Sequence, residues 1–156
     1  RSTMRIIVTS ADRVYVDPSA LRSAYIHDGR SRQFCVWRGR TSGALVLTRH
    51  GRAELVNSIA LGVFRGTLSA PAADAAFADL DADLRDRSLT LVDLLWRRAL
   101  DLAAELSRQH TPTVGARALD VLHVASAVTL GKTTFVTYDE RQAALARATG
   151  LRVLAP

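Results

Sequence analysis

The run Arg13-Val14-Tyr15-Val16, followed at once by Asp17-Pro18, decides the reading of the fold. It is short, β-branched and nearly unbroken in apolar character, and it stops at an acid and a proline. Strands of a parallel sheet read this way, because both of their faces are covered. The pattern recurs in Ala44 to Thr48 after Gly43, in Thr134 to Tyr138 between Gly131 and Asp139, and in Leu151 to Leu154 after Gly150. Ser88 to Val92 is a weaker instance.

Helical spacing fills the gaps between these runs. Leu55, Ile59 and Val63 recur every four residues in Gly51 to Phe64. Ala73, Phe77, Leu80 and Leu84 line one face of Ala70 to Arg85, and aspartates line the other. Asp93 to Ser107 places Leu95, Ala99, Leu102 and Leu106 on a stripe that Asp93 can cap. Ala118 to Leu130 is apolar nearly all round, which predicts a buried helix. Glu140 to Thr149 is amphipathic and stops at Gly150. Alternating strands and helices predict an α/β protein with a parallel sheet. His110 to Gly115, with Pro112 inside it, reads as a loop, and residues 28–43 carry no clear pattern.

The chain has 156 residues, enough for one domain that buries its own core. It is 48% apolar and 23% charged, which excludes disordered, collagen-like and repeat classes. Cys35 is its only cysteine, so an internal disulfide and a Cys-rich zinc module are excluded as well. Ile6-Ile7-Val8 is too short for a signal-peptide core, and no apolar run approaches a membrane span. A reduced, cytoplasmic protein is the expectation. Arg1-Ser2-Thr3 ahead of Met4 reads as a cloning remnant. The net charge is +6, and Lys132 is the only lysine among 21 basic residues. That arginine bias suits a polyanionic partner, and an arginine- and alanine-rich coding composition accounts for it equally.

Most of the acids look solvated; Asp74, Asp79, Asp81, Asp83 and Asp86 fall among alanines and leucines of one segment. Four do not. Asp17 and Asp139 stand where apolar strands end, Glu54 falls in the first turns of the helix after the second strand, and Asp120 interrupts an apolar run. Open parallel sheets bind ligands beyond the carboxyl ends of their strands, and helices after strands begin at that same edge. If folding gathers the four, their mutual repulsion calls for a cation, and oxygen-only ligation suits Mg²⁺ or Mn²⁺. Such an ion activates water for attack on a phosphodiester, and a basic surface around the pocket would hold RNA or DNA. Taken alone, a strand-end aspartate is as well explained by a helix cap.

Four stretches together resemble the PIN-domain family, specifically the VapC-type toxins of VapBC toxin–antitoxin pairs. They are Val14-Tyr15-Val16-Asp17-Pro18-Ser19-Ala20-Leu21, Arg52-Ala53-Glu54-Leu55, Arg117-Ala118-Leu119-Asp120-Val121-Leu122-His123, and Thr134-Phe135-Val136-Thr137-Tyr138-Asp139-Glu140-Arg141. The resemblance runs from Val14 to Pro156. It implies one PIN domain with a three-layer α/β/α fold and a five-stranded parallel sheet in the order 3-2-1-4-5. It implies that Asp17, Glu54, Asp120 and Asp139 are catalytic and bind metal, Mg²⁺ or Mn²⁺, in an endoribonuclease. It also implies an RNA substrate, a cognate VapB-type antitoxin and a homodimer within that complex. Pro18 departs from the family's usual Thr or Ser, and residues 5–12 are an extension that reads equally as a mis-assigned start, a disordered lead or an added strand.

Around these four, Ser19 either hydrogen-bonds a site carboxylate or water, or caps the first helix. His123, three residues after Asp120, reads as a core histidine with one hydrogen bond rather than a ligand. Arg38, Arg40, Arg49 and Arg52 flank loops near the expected edge and are candidate RNA contacts. Leu21, Tyr25 and Phe34 suit an antitoxin groove and ordinary packing equally. The rival to a nuclease is a PIN module, impaired at Pro18, that binds RNA or antitoxin without cutting. A weaker rival is an Asp-based phosphatase or phosphotransfer domain; the usual second aspartate is Ser19 here.

Overall fold

A computed structural model describes residues 9–156. Five strands form one parallel sheet: β2 (Val14–Val16), β4 (Leu45–Thr48), β5 (Leu89–Val92), β6 (Thr134–Val136) and β7 (Arg152–Leu154), in the order β5-β4-β2-β6-β7. In chain order this is 3-2-1-4-5, as the resemblance implies. Every residue of the central β2 and β6 is buried, which is why both read as unbroken apolar runs.

The pleat divides the core in two. Val14 and Val16 join one cluster, with Leu45, Leu47, Leu55, Ile59 and Leu80. Tyr15 points the other way and joins Phe135, Val121, Val124 and Leu145. The first cluster draws on α1 (Pro18–Leu21), α2 (Ser31–Gly39), α3 (Arg49–Phe64) and α4 (Ala70–Arg85). The second draws on α5 (Trp96–Val114), α6 (Ala118–Thr129) and α7 (Glu140–Ala148). The result is a three-layer α/β/α sandwich. Tyr15 and Phe135 are register partners on β2 and β6, and their rings stack at 5.5 Å and 5°. Deleting a ring as deeply buried as Phe135 typically costs about 3–5 kcal/mol.

Two local expectations fail. The helix expected from Asp93 begins at Trp96, because the Asp93 carboxylate is engaged by Arg49 Nε at 3.0 Å instead of capping. The loop expected at 110–115 is the last part of α5. Pro112 lies near the helix end, where its missing N–H frees only the carbonyl of the exposed Arg108, and Gly115 at φ 71° ends the helix. Residues 28–43, which carry no clear pattern in the sequence, hold α2 and a short β3 (Thr41–Ser42). β3 pairs in parallel with β1 (Thr9–Ser10), so the end of the N-terminal extension does supply a strand. Residues 5–8 of that extension, and the tripeptide 1–3, lie outside the described residues. Among the described residues no helix is long and apolar enough to cross a membrane.

One glycine sets the approach of α3 to the sheet. A Cβ on Gly51 would meet Thr48 Oγ1 at 2.8 Å, Leu47 Cδ1 at 3.3 Å and Pro18 Cγ at 3.4 Å. Thr48 Oγ1 caps α3 by accepting from Gly51 N at 3.0 Å. This contact packs the start of α3 against α1, and Glu54 follows three residues later.

Candidate active site

The order of the sheet reverses between β2 and β6, and four acids border the carboxyl ends of the strands there. Asp17 directly follows β2, and its N–H donates to Val136 O at 2.9 Å. Its side chain caps α1, and the residue is only 2% exposed. Oδ2 accepts from Ser19 N at 3.1 Å and from the Ser19 hydroxyl. Oδ1 accepts from Gln142 Nε2 at 2.9 Å. Ser19 is thus bonded to a site carboxylate, and Asp17 is the cap. Pro18 occupies the first helical position, where an N–H has no partner in any case, so it leaves the turn intact.

Asp139 follows β6 after Thr137 and Tyr138 and caps α7, accepting from Gln142 N at 2.8 Å. Asp120 lies in the first turn of α6. Its carboxyl is pushed above the usual range, first by burial and then by the charges of Asp17, Asp139 and Glu54. Glu54, on α3, meets His123 Nε2 at 2.5 Å. His123 is fully buried, and its Nδ1 lies 2.7 Å from the Tyr15 hydroxyl. With Glu54 ionised and accepting, the ring carries its proton on Nε2, and Tyr15 donates to Nδ1. His123 therefore makes two hydrogen bonds rather than one, and it braces an acid of the site.

A cavity of about 620 Å³ is lined by Ser19, Glu54, Asp120, Asp139 and Glu140, together with Arg117 and Arg141. Among the described residues the one arginine–carboxylate pair is Arg49–Asp93, and His123 meets Glu54 as a hydrogen-bond donor, so none of the four acids has a lysine or arginine partner there. The four acids share one electrostatic field. Among the described residues, however, no three His, Cys, Asp or Glu side chains converge tightly enough to cage an ion. The donor set is nonetheless suited to a hard divalent cation: all oxygen, anionic and unneutralised. Mg²⁺ characteristically takes one or two carboxylates and fills the rest with water and phosphate.

None of the four candidate arginines lines the acidic cavity. Arg38 lies at the other end of the sheet, bound to the carbonyls of Thr41, Gly43 and Ser88 at 2.9, 3.0 and 3.2 Å. Arg40 ends α2, on the run that feeds β4. Arg49 pairs with Asp93, and Arg52 lies against Leu84, Arg87 and β5 outside the acidic cavity. Spacing along the chain cannot distinguish these from Arg117 and Arg141, which each neighbour a motif acid closely. Leu21 and Phe34 are core residues, and Tyr25 is half-buried with its hydroxyl on Asp83 at 2.7 Å, so they form no open groove. Gln142 escapes the sequence reading because Asp139-Glu140-Arg141-Gln142 also fits an ordinary helix-capping pattern.

A doubly wound α/β protein with a carboxylate-lined cleft at its switch point is the class these features define. The PIN domain family model matches residues 14–148, and the chain belongs to that family, whose members are generally nucleases. No curated protein matches the chain in sequence.

Proposed function

We propose that this protein is a divalent-metal-dependent endoribonuclease and the toxin of a type II toxin–antitoxin pair. The observation that carries the nuclease reading is the gathering of Asp17, Glu54, Asp120 and Asp139 at one sheet edge, with no lysine or arginine paired to any of them among the described residues. The toxin role, the VapB-type antitoxin and the homodimer rest on the four motifs resembling VapC-type toxins. Glu54, Asp120 and Asp139 face the cavity and would hold Mg²⁺ or Mn²⁺, with Asp17 behind them. The ion, when bound, neutralises charge at the phosphodiester and makes water a better nucleophile. Arg117 and Arg141 are placed to hold strand phosphates beside the acids. His123 keeps Glu54 in one orientation, and burial keeps the Tyr15 hydroxyl protonated as the donor behind it.

Purified protein is incubated with total cellular RNA and Mg²⁺, Mn²⁺ or EDTA, beside an identically prepared Asp120→Asn variant. Discrete, metal-dependent fragments absent from the variant support the reading, and their ends identify the cleaved sequence. One observation favours a second reading: no three of the acids converge on a point. A PIN module that binds RNA or an antitoxin without cutting would give RNA retention that EDTA does not affect, and no fragments.

A further inference from the structure

Gln142 is fully buried, and every polar atom of its amide is in use. Nε2 donates to Asp17 Oδ1 at 2.9 Å and to the Asp120 carbonyl at 3.3 Å. Oε1 accepts from Thr137 Oγ1 at 2.7 Å. The backbone N–H of Gln142 donates to Asp139 Oδ1 at 2.8 Å. One residue therefore touches three of the four acids.

The connectivity fixes which way the amide faces. Thr137 Oγ1 accepts from Asp139 N at 3.1 Å and donates its single proton to Gln142 Oε1 at 2.7 Å. A reversed amide would set its oxygen against both the Asp17 carboxylate and the Asp120 carbonyl, oxygen facing oxygen at each contact. In a helix-capping box the glutamine would turn back to the N–H of Asp139. Here Thr137 takes that N–H, and the amide reaches across to β2 instead.

The choice of side chain matters for charge. An arginine at this place would anchor Asp17 and cancel its charge. A neutral amide anchors the carboxylate and leaves the charge in the site. We propose that Gln142, held by Thr137, is a positioning residue that fixes the Asp17 carboxylate relative to Asp120 and Asp139 and thereby sets the affinity of the site for its divalent cation. The inference rests on the nuclease reading above.

The test is Mn²⁺ binding to the full chain, measured by calorimetry, with thermal melting of every variant as the control for folding. Gln142→Met is expected to weaken Mn²⁺ binding by about tenfold or more, the range usual for loss of a group that orients a metal ligand. In an Asp17→Asn background the same substitution is expected to add nothing further, because its effect passes through Asp17. Thr137→Val, which leaves Gln142 in place, is expected to weaken binding, and Thr137→Ser, which keeps the hydroxyl, to preserve it. Equal losses in both Asp17 backgrounds mark a general structural role and overturn the proposal. So does wild-type affinity in Gln142→Met. Absence of Mn²⁺ binding by the unmodified chain overturns the nuclease reading itself, and the proposal falls with it.

Discussion

The two ends of the same sheet treat charge in opposite ways. Where the chain enters the strands, cations act as structural donors: Arg38 binds the carbonyls of Thr41 in β3, of Gly43 ahead of β4 and of Ser88 ahead of β5, and Lys132 Nζ meets Asp12 O at 2.7 Å ahead of β2. Where the chain leaves β2 and β6, Asp17, Asp120 and Asp139 receive only neutral donors or none. The first arrangement satisfies exposed and half-buried carbonyls. The second keeps like charges together in a partly buried place, which costs folding free energy. A fold retains such a conflict where something other than stability depends on it.

The largest effects come from exchanging a group at each end. Asp120→Asn should take RNA cleavage to background while the melting temperature holds or rises, since it removes one of four mutually repelling charges. Arg38→Ala should do the reverse. Loss of its charged hydrogen bonds should cost about 1–3 kcal/mol of stability, read by urea denaturation, with cleavage per folded molecule unchanged. If Arg38→Ala instead lost activity at full stability, the division between the two ends would not hold.

The contrast also explains what could be read from the chain. β2 and β6 are legible because burial on all sides leaves an unbroken apolar record. α6 is legible because it is apolar nearly all round, although its one continuous buried stretch falls mostly in its second half, and the acids stand out by interrupting these runs. α2 was illegible because only Ser31 and Phe34 of its nine residues are buried, so an arginine-rich surface masks the period. The end of α5 was misread because Pro112 signals a break, yet so close to Gly115 it costs little. Arg38 and Arg40 fall at the opposite end because which end of the sheet a loop occupies depends on the packing of α2, whereas Arg49 and Arg52 do lie at the edge where β4 ends. Gln142 could not be found, because its pattern also describes a plain helix start.

Smaller effects sharpen the picture at the acidic end. Arg117→Ala and Arg141→Ala should each weaken binding of single-stranded RNA across all sequences. Each should also reduce the slope of log affinity against log salt by about 1, the signature of one lost phosphate contact. Titrations at several salt concentrations measure this directly, in the Asp120→Asn background so that RNA is not consumed. Arg38→Ala serves as the control, with an unchanged slope expected. Gly51→Val should be harmful for a different reason. Its side chain would collide with Thr48 Oγ1, opening the cap of α3 and shifting Glu54, so stability and cleavage should fall together.

The smallest expected effect lies beside Glu54 and concerns pH. His50 stacks on His123 at 4.9 Å and 21°, and it tilts against Trp96 at 5.0 Å. Its Nδ1 is buried without a hydrogen-bond partner. Burial, and then the neighbouring His123, push its pKa down to about 4, against a weaker opposing pull from Glu54. The unfolded chain takes up this proton near the ordinary histidine value, and the folded chain takes it up only near the lowered one. Between the two values the unfolded state binds more protons, so this term erodes stability as pH falls through that window. Asp120 works with the opposite sign: its raised pKa makes the folded state bind a proton before the unfolded one, which adds stability toward acid. Melting temperatures at about pH 7, about pH 5 and about pH 4, in EDTA and at constant ionic strength, separate the two. His50→Gln should flatten the acid-side decline, and Asp120→Asn should steepen it. If the two substitutions changed the slope in the same direction, histidine and carboxylate would not be opposed at this edge as the structure places them.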